Sequence, residues 1–259
     1  MKNVMVFSGT TEGRMIGDFL EERKISGYLS VATEYGKKMA GEYRYVNVLY
    51  GRMDQAEMET FFTEHEIGLV IDATHPFAQL VTDNIKKICS KCNISYLRCL
   101  RERIGSIEED ETVYQVGSVK EAVSFLQHTS GNILIATGSK ELHEYQNLED
   151  YQNRCYARIL STLESVQEAV KCGFEGTHLI AMQGPFSKSM NCATIEQVKA
   201  EWFVTKEAGN AGGFLEKKEA AKLSGAKLLV VRRPEENGMS VEELKIFIEK
   251  EIFKNAQKI

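Results

Sequence analysis

Short apolar runs alternate with amphipathic stretches along the whole chain. The first run, residues 4–7, is followed by a loop of small and polar residues and then by apolar positions at helical spacing. A short apolar run between two helical segments is typical of a parallel strand that is covered on both faces. The pattern therefore predicts an α/β fold built on mainly parallel sheets.

These runs predict two groups of strands. The expected strands are residues 4–7, 28–32, 46–49, 68–72 and 95–99 in the first group, and 112–116, 133–136, 155–159, 178–182, 202–205 and 227–231 in the second. The amphipathic stretches predict helices between them, including residues 55–64, 77–90 and 119–128, and a last one near 241–253. We therefore expect two doubly wound, Rossmann-like domains.

The domain boundary is predicted close to residue 106. Residues 103–110 contain part of a Glu/Asp-rich run, which is typical of a solvated connection between domains. We expect residues 1–106 to form an N-terminal nucleotide-binding domain. Residues 107–259 are expected to form a C-terminal domain that contributes to substrate and cofactor binding.

The composition is that of a soluble globular protein, with 43% hydrophobic and 27% charged residues. No run approaches the roughly eighteen apolar residues of a transmembrane helix, and the first residues lack the shape of a signal peptide. We therefore expect a cytoplasmic protein without a membrane partner, either a monomer or a homodimer. The net charge of −5 argues against nucleic acid as the main partner, although a few local cations could still bind an anionic small molecule.

The chain shows no pattern of a metal site or of a hydrolase. Cys89 and Cys92 form a CxxC pair, but the pair falls late in a predicted helix and no second CxxC exists. We interpret the two cysteines as small apolar groups and expect no metal. The motifs GxSxG, HExxH and GxxxxGK[ST] are all missing.

Candidate chemistry concentrates in the loops that follow the predicted strands. In an open parallel sheet, ligands bind beyond the carboxyl ends of the strands. Six such loops carry small, hydroxylated or cationic residues, which is more than ordinary turns explain. They are residues 8–14, 72–77, 137–140, 183–187, 206–213 and 232–234.

The first of these loops is the natural nucleotide site. Gly9 permits a tight turn, and Thr10, Thr11 and Glu12 open the next helix, where free N–H groups can hold a pyrophosphate. We take these four residues as candidates for cofactor binding. Only Gly9 and Gly13 match the GxGxxG fingerprint in part, so a plain strand-to-helix turn explains the loop almost as well.

The end of the second strand offers conflicting signals about the cofactor. Glu34 could accept the ribose hydroxyls, which would favour NADH. Lys37 or Lys38 could instead meet the 2′-phosphate of NADPH. A surface glutamate at the start of a helix explains Glu34 equally well.

The loop after the fourth strand has a fixed shape. Pro76 locks its own φ angle and biases His75 away from the helical region. His75 could donate a hydrogen bond to a cofactor phosphate or a proton to a substrate, and a structural histidine is an equal alternative. Thr74 and His75 are therefore candidates for cofactor binding, and His75 is also a catalytic candidate.

The second half of the chain supplies cations that suit a ligand with several carboxylates. The loop at residues 137–140 resembles a small anion cradle at a helix start, and further cations follow later strands. Arg232 and Arg233 could instead cap the sheet or pair with Glu207 or Glu235. The candidates for substrate binding are Gly138, Ser139, Lys140, Ser187, Lys206, Gly212 and Arg232.

At these loops the chain resembles the precorrin-6A reductase family, including the cobalt-precorrin-6A reductases of the anaerobic route. The motifs are SGTTEGR from Ser8, DATHPFA from Asp72, ATGSK from Ala136, QGPFS from Gln183 with Asn191 after it, TKEAGNAGGFLEK from Thr205, and VVRRP from Val230. DATHPFA and KEAGNAGG are the specific ones, and the match spans nearly the whole chain in order. Ser8 departs from the family, which often has glycine there.

The resemblance implies an NAD(P)H-dependent reductase of cobalamin (vitamin B12) biosynthesis. A nicotinamide hydride would reduce a conjugated carbon–nitrogen unit of a corrin precursor, precorrin-6A or cobalt-precorrin-6A, to the 6B form. NADPH is the expected cofactor, and NADH stays open because the basic residue that several relatives carry after the second strand is missing. The substrate would be a tetrapyrrole with many carboxylates. The required proton would come from solvent or from one of two catalytic candidates, His75 and Lys206.

Two other classes of protein stay open on the sequence alone. A nucleotide-sugar enzyme such as an epimerase would usually show a fuller glycine fingerprint and a Tyr-x-x-x-Lys pair, and the chain has neither. A non-enzymatic protein of two α/β lobes would bind a tetrapyrrole without a nicotinamide.

Overall fold

The protein, described here by a computed structural model, is seen at residues 2–100, 111–207 and 213–256. The chain divides into two compact units: Met1–Glu102 with Glu235–Ile259, and Arg103–Pro234. Each unit contains one parallel sheet with helices against it. The predicted α/β fold with two Rossmann-like units is confirmed.

Every predicted strand is present within a residue or two of its expected bounds. The strands are β1 (Asn3–Ser8), β2 (Gly27–Val31), β3 (Val46–Tyr50), β4 (Ile67–Ala73), β5 (Ser95–Arg98), β6 (Val113–Val116), β7 (Asn132–Ala136), β8 (Cys155–Ile159), β9 (Leu179–Ala181), β10 (Ala200–Lys206) and β11 (Lys227–Val231). The helices are α1 (Thr11–Glu22), α2 (Glu34–Met39), α3 (Gln55–Glu64), α4 (Gln79–Lys91), α5 (Val119–Leu126), α6 (Leu142–Tyr145), α7 (Tyr151–Arg154), α8 (Leu163–Lys171), α9 (Lys188–Gln197), α10 (Phe214–Leu223) and α11 (Val241–Ala256).

The first unit has the strand order β3-β2-β1-β4-β5, with every pair parallel. Strands β2 and β3 are added in sequence order on one side of β1. The chain then crosses over β1, and β4 and β5 are added on its other side. Side chains of β1 alternate between the faces of the sheet: Val6 packs with Leu20 of α1, and Phe7 packs with Phe62 of α3. A topological switch point therefore lies between β1 and β4, where a ligand crevice is expected.

The C-terminal helix belongs to the first unit, which differs from the expected domain 107–259. Leu244 and Ile248 of α11 are buried in the same cluster as the apolar residues of β1 and α1. Just before α11, Met239 forms a bridge with Cys99 at the edge of the first sheet. The apolar spacing of a helix shows that one face is buried, but it does not show which sheet covers that face. The joint predicted at residues 103–110 lies outside the described residues.

The second unit has the strand order β6-β11-β10-β7-β8-β9, again with every pair parallel. The chain builds from β7 outward to β9, then returns to β10 beside β7. Helices α9 and α10 cover one face, where Leu134 and Phe203 are buried. Ile135 and Val204 are buried on the other face. The switch point of this unit lies between β7 and β10.

Local differences from the predicted elements have local causes. Helix α2 begins at Glu34, as one of the two interpretations of that residue expects, because the Thr33 side chain accepts a hydrogen bond from the Gly36 N–H. Helix α4 begins at Gln79, two residues later than expected, because the Ala78 N–H first closes a turn on the His75 carbonyl at 2.7 Å. No helix in the described ranges is long and apolar enough to cross a membrane.

Candidate functional site

The loops after β1 and β4 meet at the switch point of the first unit. The Thr10 hydroxyl donates to the Ala73 carbonyl at 3.0 Å and accepts from the Gly13 N–H at 3.3 Å. Thr10 thus caps α1 and ties the start of this helix to the end of β4. The structure therefore brings together the two loops that the sequence analysis selected for cofactor binding.

The two glycines of the first loop have different roles. A Cβ on Gly9 would lie 3.7 Å from the His75 backbone nitrogen and 3.8 Å from the Thr74 Cα, which is ordinary contact. A Cβ on Gly13 would lie 2.9 Å from the Ser8 Cβ and 3.0 Å from its Cα, so that Gly13 lets α1 pack closely against the end of β1. Gly9 leaves the exposed turn without a side chain, so that a ligand can approach the backbone, and Gly13 is required for packing.

The remaining residues of the first loop open helix α1. Thr11 is exposed at the first helical position, and Glu12 is partly buried beside it. The first N–H groups of a helix have no partner within the helix and carry a partial positive charge. The side chains and backbone of this turn can therefore bind an anionic group, as expected for a cofactor phosphate.

A buried carboxylate fixes the second loop. Asp72 is fully buried, and its Oδ1 accepts from the Thr74 N–H at 3.0 Å and from the Thr74 hydroxyl at 2.6 Å. Its Oδ2 accepts from the hydroxyls of Thr82 at 2.7 Å and Tyr96 at 3.1 Å. Because the Thr74 hydroxyl donates to Asp72, its proton is not available to a ligand. Thr74 therefore shapes the loop through its side chain.

Arg98 completes this network from the neighbouring strand. Its Nη1 donates to Asp72 Oδ1 at 2.8 Å, while Nε and Nη2 donate to the two oxygens of Glu236 at 2.9 and 3.1 Å. Asp72 and Arg98 are register partners at the ends of β4 and β5. The sequence analysis did not select Arg98. A signal for it exists, because an aspartate and an arginine stand at the ends of two apolar strands and can form an ion pair if those strands are neighbours.

His75 lies partly exposed at the turn between β4 and α4. Its Nδ1 faces the Phe77 N–H at 3.4 Å, and its ring stacks on that of Phe77 with centroids 5.7 Å apart. A backbone N–H directed at Nδ1 favours the neutral tautomer that carries its proton on Nε2. That nitrogen can donate a hydrogen bond, as the sequence analysis expects of His75.

Glu34 lies at the first position of α2, beyond the end of β2. Its carboxylate is exposed and lies 3.3 Å from the Lys38 ammonium. Lys37 is exposed as well, and it forms no ion pair with a described residue. The geometry fits both alternatives for Glu34, a ribose ligand and a surface residue at a helix start, and it leaves Lys37 available to a phosphate.

In the second unit, the loops after β7 and β10 also meet at a switch point. The Lys206 ammonium forms an ion pair with the Glu141 carboxylate. Gly138 adopts φ +90°, a left-handed conformation that favours glycine, while Ser139 is partly buried and Lys140 is exposed. The expected anion cradle lacks a full helix behind it, because α6 is a single turn.

The other candidates of the second unit occupy separate strand ends. Ser187 caps α9 by accepting from the Met190 N–H at 3.2 Å. Arg232 is exposed, whereas Arg233 is buried and pairs with Glu207 through its backbone and side chain. The sequence analysis left open that Arg232 and Arg233 pair with a glutamate. Arg233 does so, while Arg232 has no ion pair with a described residue. Gly212 lies outside the described residues.

The CxxC cysteines pack as the sequence analysis expects. Cys89 is buried in the apolar cluster between the first sheet and helices α3 and α4, and Cys92 is partly buried against the same cluster. Burial raises the pKa of the Cys89 thiol to about 12. This thiol therefore stays protonated at neutral pH and behaves as a small apolar group.

Comparison with known proteins gives a consistent set of relatives. The family model for precorrin-6x reductase CbiJ/CobK matches residues 3–249. A cobalt-precorrin-6A reductase of Salmonella typhimurium is 30% identical over 232 residues, covering 90% of this chain and 88% of that protein. One from Priestia megaterium is 30% identical over 237 residues, covering 89% and 90%. The solved structure of CobK precorrin-6A reductase shares the fold, with a TM-score of 0.73, 19% identity and coverage of 96% and 97%.

Proposed function

The chain belongs to the precorrin-6x reductase family, and from that premise we propose which of its loops bind the cofactor and which bind the substrate. It is an oxidoreductase of cobalamin biosynthesis that reduces a precorrin-6A macrocycle with NADPH. One observation carries the assignment of the loops: the Thr10–Ala73 hydrogen bond joins the two selected loops of the first unit at its switch point.

The first unit binds the cofactor. Gly9, Thr10, Thr11 and Glu12 contact the phosphates at the start of α1, and support comes from the exposed turn at Gly9 and the positive end of the helix dipole. Thr74 and His75 approach from the other loop, and Glu34 approaches from the end of β2 to contact the adenosine ribose. The residues present therefore fit a dinucleotide.

The chain's own residues bind, orient and supply a proton. When bound, NADPH supplies a hydride to a conjugated carbon–nitrogen unit of the macrocycle. The reduced ring also gains a proton, for which His75 in its doubly protonated form, the Lys206 ammonium and solvent are the three sources. Lys206 is oriented by Glu141, and His75 by the turn that Asp72 fixes. No protein nucleophile is required.

The second unit binds carboxylates of the macrocycle. The proposed contacts are Gly138, Ser139, Lys140, Ser187, Lys206, Gly212 and Arg232. Lys140 and Arg232 support this assignment because they are exposed cations that form no ion pair with described residues. Charge-assisted contacts of this kind suit a substrate with many carboxylates.

The substrate carries cobalt. The cobalt-precorrin-6A reductases of Salmonella typhimurium and Priestia megaterium, both 30% identical to the chain, support this assignment. The enzyme acts in the cytoplasm as a monomer or homodimer, and sedimentation of the purified chain distinguishes these two states.

The test is an anaerobic assay with NADPH and the macrocycle, with and without cobalt. Loss of NADPH absorbance, matched by formation of the 6B product with a higher kcat/KM for the cobalt form, is the expected result. A preference for the cobalt-free macrocycle would reject the cobalt assignment alone. Tight binding of a macrocycle without any consumption of NADPH would support the non-enzymatic alternative.

A further inference from the structure

Arg158, near the end of β8, is buried in the second unit without an anionic partner among the described residues. The residue is 5% exposed, and neither Nη1 nor Nη2 has a hydrogen-bond partner in the part of the chain that the structure describes. The guanidinium lies 4.3 Å from the ring centroid of Phe186 and 5.3 Å from that of Phe203. Cation–π contacts offset only part of the cost of burying an unpaired charge.

A second cation reaches the same region from α10. The Lys217 ammonium donates to the buried hydroxyl of Thr205 at 3.1 Å. Thr205 is the register partner of Ala136 in β7, and Arg158 follows Ala157, the register partner of Ile135, so that Arg158 and Thr205 lie at the same height in the sheet. Their side chains therefore leave the same face of the sheet, the one that α9 and α10 cover.

The charge of Arg158 acts on the Lys217 ammonium. Burial, and then the charge of Arg158, lowers the pKa of Lys217 to about 8. Burial lowers the pKa of Arg158 to about 10. Both side chains thus keep their protons at neutral pH, and neither forms an ion pair with a carboxylate in the described part of the chain.

The turn that carries Phe186 is fixed by another buried polar residue. Asn191 is fully buried, and its Nδ2 donates to the carbonyls of Phe186 at 3.3 Å and Ser187 at 3.0 Å. The Oδ1 of Asn191 has no hydrogen-bond partner within the described ranges. An aromatic ring is thereby held over a guanidinium whose two outer nitrogens have no acceptor among the residues that are described.

We propose that Arg158 and Lys217 form a buried oxyanion site, which binds either a carboxylate of the macrocycle or a phosphate of the dinucleotide. The site rests on the proposed function, because these are the oxyanion groups that its two ligands carry. A carboxylate or phosphate can accept from Nη1 and Nη2 together, which is the geometry that an arginine fork favours. The Lys217 ammonium supplies a third donor, and the buried surroundings strengthen each attraction.

The test compares Arg158→Met and Lys217→Met with Lys222→Met, which removes an exposed lysine from the same helix. Affinities for NADPH and for the macrocycle are measured separately. We expect at least a tenfold loss for one ligand in the first two variants and no change in the third. Loss for the macrocycle assigns the site to a carboxylate, and loss for NADPH assigns it to a phosphate. Unchanged affinity for both ligands in both variants would overturn the site.

Thermal unfolding distinguishes a binding role from a structural one. Replacing an unpaired buried charge with an apolar side chain of similar volume is often neutral or stabilising, so Arg158→Met should unfold at the same or a higher temperature than the parent. A structural role predicts a lower temperature. If Arg158→Met does not fold, Arg158→Lys keeps the charge but loses the fork, and it should also bind the affected ligand more weakly.

Simple anions separate a failure of this site from a failure of the proposed function. Acetate and inorganic phosphate should raise the Tm of the parent more than that of Arg158→Met, without involving NADPH or the macrocycle. If the parent shows this response but reduces no macrocycle, the proposed function fails and the site stands. If the parent reduces the macrocycle while neither anion nor ligand distinguishes the variants, the site fails and the function stands.

Discussion

Arg98 and Asp72 form a buried ion pair at the carboxyl ends of β5 and β4, with Arg98 Nη1 2.8 Å from Asp72 Oδ1. Their side chains are 3% and 0% exposed. The other edge of the guanidinium pairs with Glu236, and Asp72 also holds the Thr74 backbone. The pair therefore joins the edge of the sheet to the loop that carries His75.

We predict that Arg98→Met destabilises the protein by about 3–5 kcal/mol, the range found when one partner of a buried ion pair is removed. The substitution leaves Asp72 buried without its cation. The free energy of unfolding from chemical denaturation is the measurement, and cofactor affinity should fall as well, because the loop loses its support.

Arg23→Met is the matched control for this prediction. Arg23 pairs with Glu249 at 2.6 Å, but their side chains are 56% and 35% exposed. An exposed pair of this kind contributes less than about 1 kcal/mol. If Arg98→Met and Arg23→Met lower the free energy of unfolding equally, the buried Asp72–Arg98 pair stabilises the protein no more than an exposed ion pair does.

The second prediction concerns Gly9. A Cβ fits at this position, so Gly9→Val should keep its fold, while the branched side chain occupies the turn where phosphates are proposed to bind. NADPH affinity should fall at least tenfold, as measured by fluorescence titration, with an unchanged Tm.

Gly13→Ala provides the contrast, because its Cβ would come within 3.0 Å of Ser8 and force α1 away from β1. This variant should lose stability in the absence of any ligand. Unchanged NADPH affinity in Gly9→Val would reject the cofactor assignment of the first loop, whatever Gly13→Ala does.

The strands and the meeting of the cofactor loops could be predicted from the sequence. Apolar runs mark buried strands, and the parallel order brings the loops of β1 and β4 to the same edge. Which of the two units contains α11 could not be predicted. The apolar face of α11, with Leu244, must be buried against a sheet, but the sequence does not show which of the two sheets it covers.

The pairing of charges was harder to predict than their location. Lys206 was correctly placed at a strand end, but its ion pair with Glu141 depends on β7 lying beside β10. Arg158 lies within a strand and not in a loop, so a search of strand-end loops passes over it. Such residues become visible only once the strand order and the covering helices are known.

The third prediction concerns the choice of cofactor. We expect a higher kcat/KM with NADPH than with NADH, with Lys37 available to the 2′-phosphate at the end of β2. Lys37→Ala should reduce this preference mainly by raising the KM for NADPH, because NADH carries no phosphate there. Lys87→Ala, on the exposed side of α4, should leave the preference unchanged. A parent enzyme that prefers NADH would instead mean that Glu34 accepts from the 2′-hydroxyl of the ribose, which NADH has and NADPH lacks.

The fourth prediction concerns the cations at the switch point of the second unit. Lys140→Ala and Lys206→Ala should each weaken macrocycle binding about ten- to a hundredfold, since a charge-assisted contact contributes roughly 1.5–3 kcal/mol. Cofactor affinity should change much less. Binding of the macrocycle should also weaken as salt rises, more steeply in the parent than in Lys140→Ala, because Lys140 is exposed and therefore screened. Parent-like binding by both variants at every salt concentration would remove these lysines from the site.

The last prediction concerns the dependence of stability on pH. Folding lowers the pKa of Lys217 from 10.5 to about 8, because of burial and then the charge of Arg158. Between these two values the unfolded chain keeps a proton that the folded chain has lost. The contribution of Lys217 to the free energy of unfolding must therefore rise with pH across this window and stay constant below it.

The total stability does not isolate this effect, because buried thiols act in the opposite direction. Burial raises the pKa values of Cys99 and Cys155 from 9.0 to about 12, which destabilises the folded state as pH rises above 9. The difference in unfolding free energy between the parent and Lys217→Met removes the shared contribution of the thiols. The unfolding free energy of the parent minus that of Lys217→Met should increase as pH rises from 8 to 10.5. The same difference taken with Lys222→Met should show no such increase. A flat difference would mean that Lys217 titrates normally and that its ammonium is not held in the buried region beside Arg158.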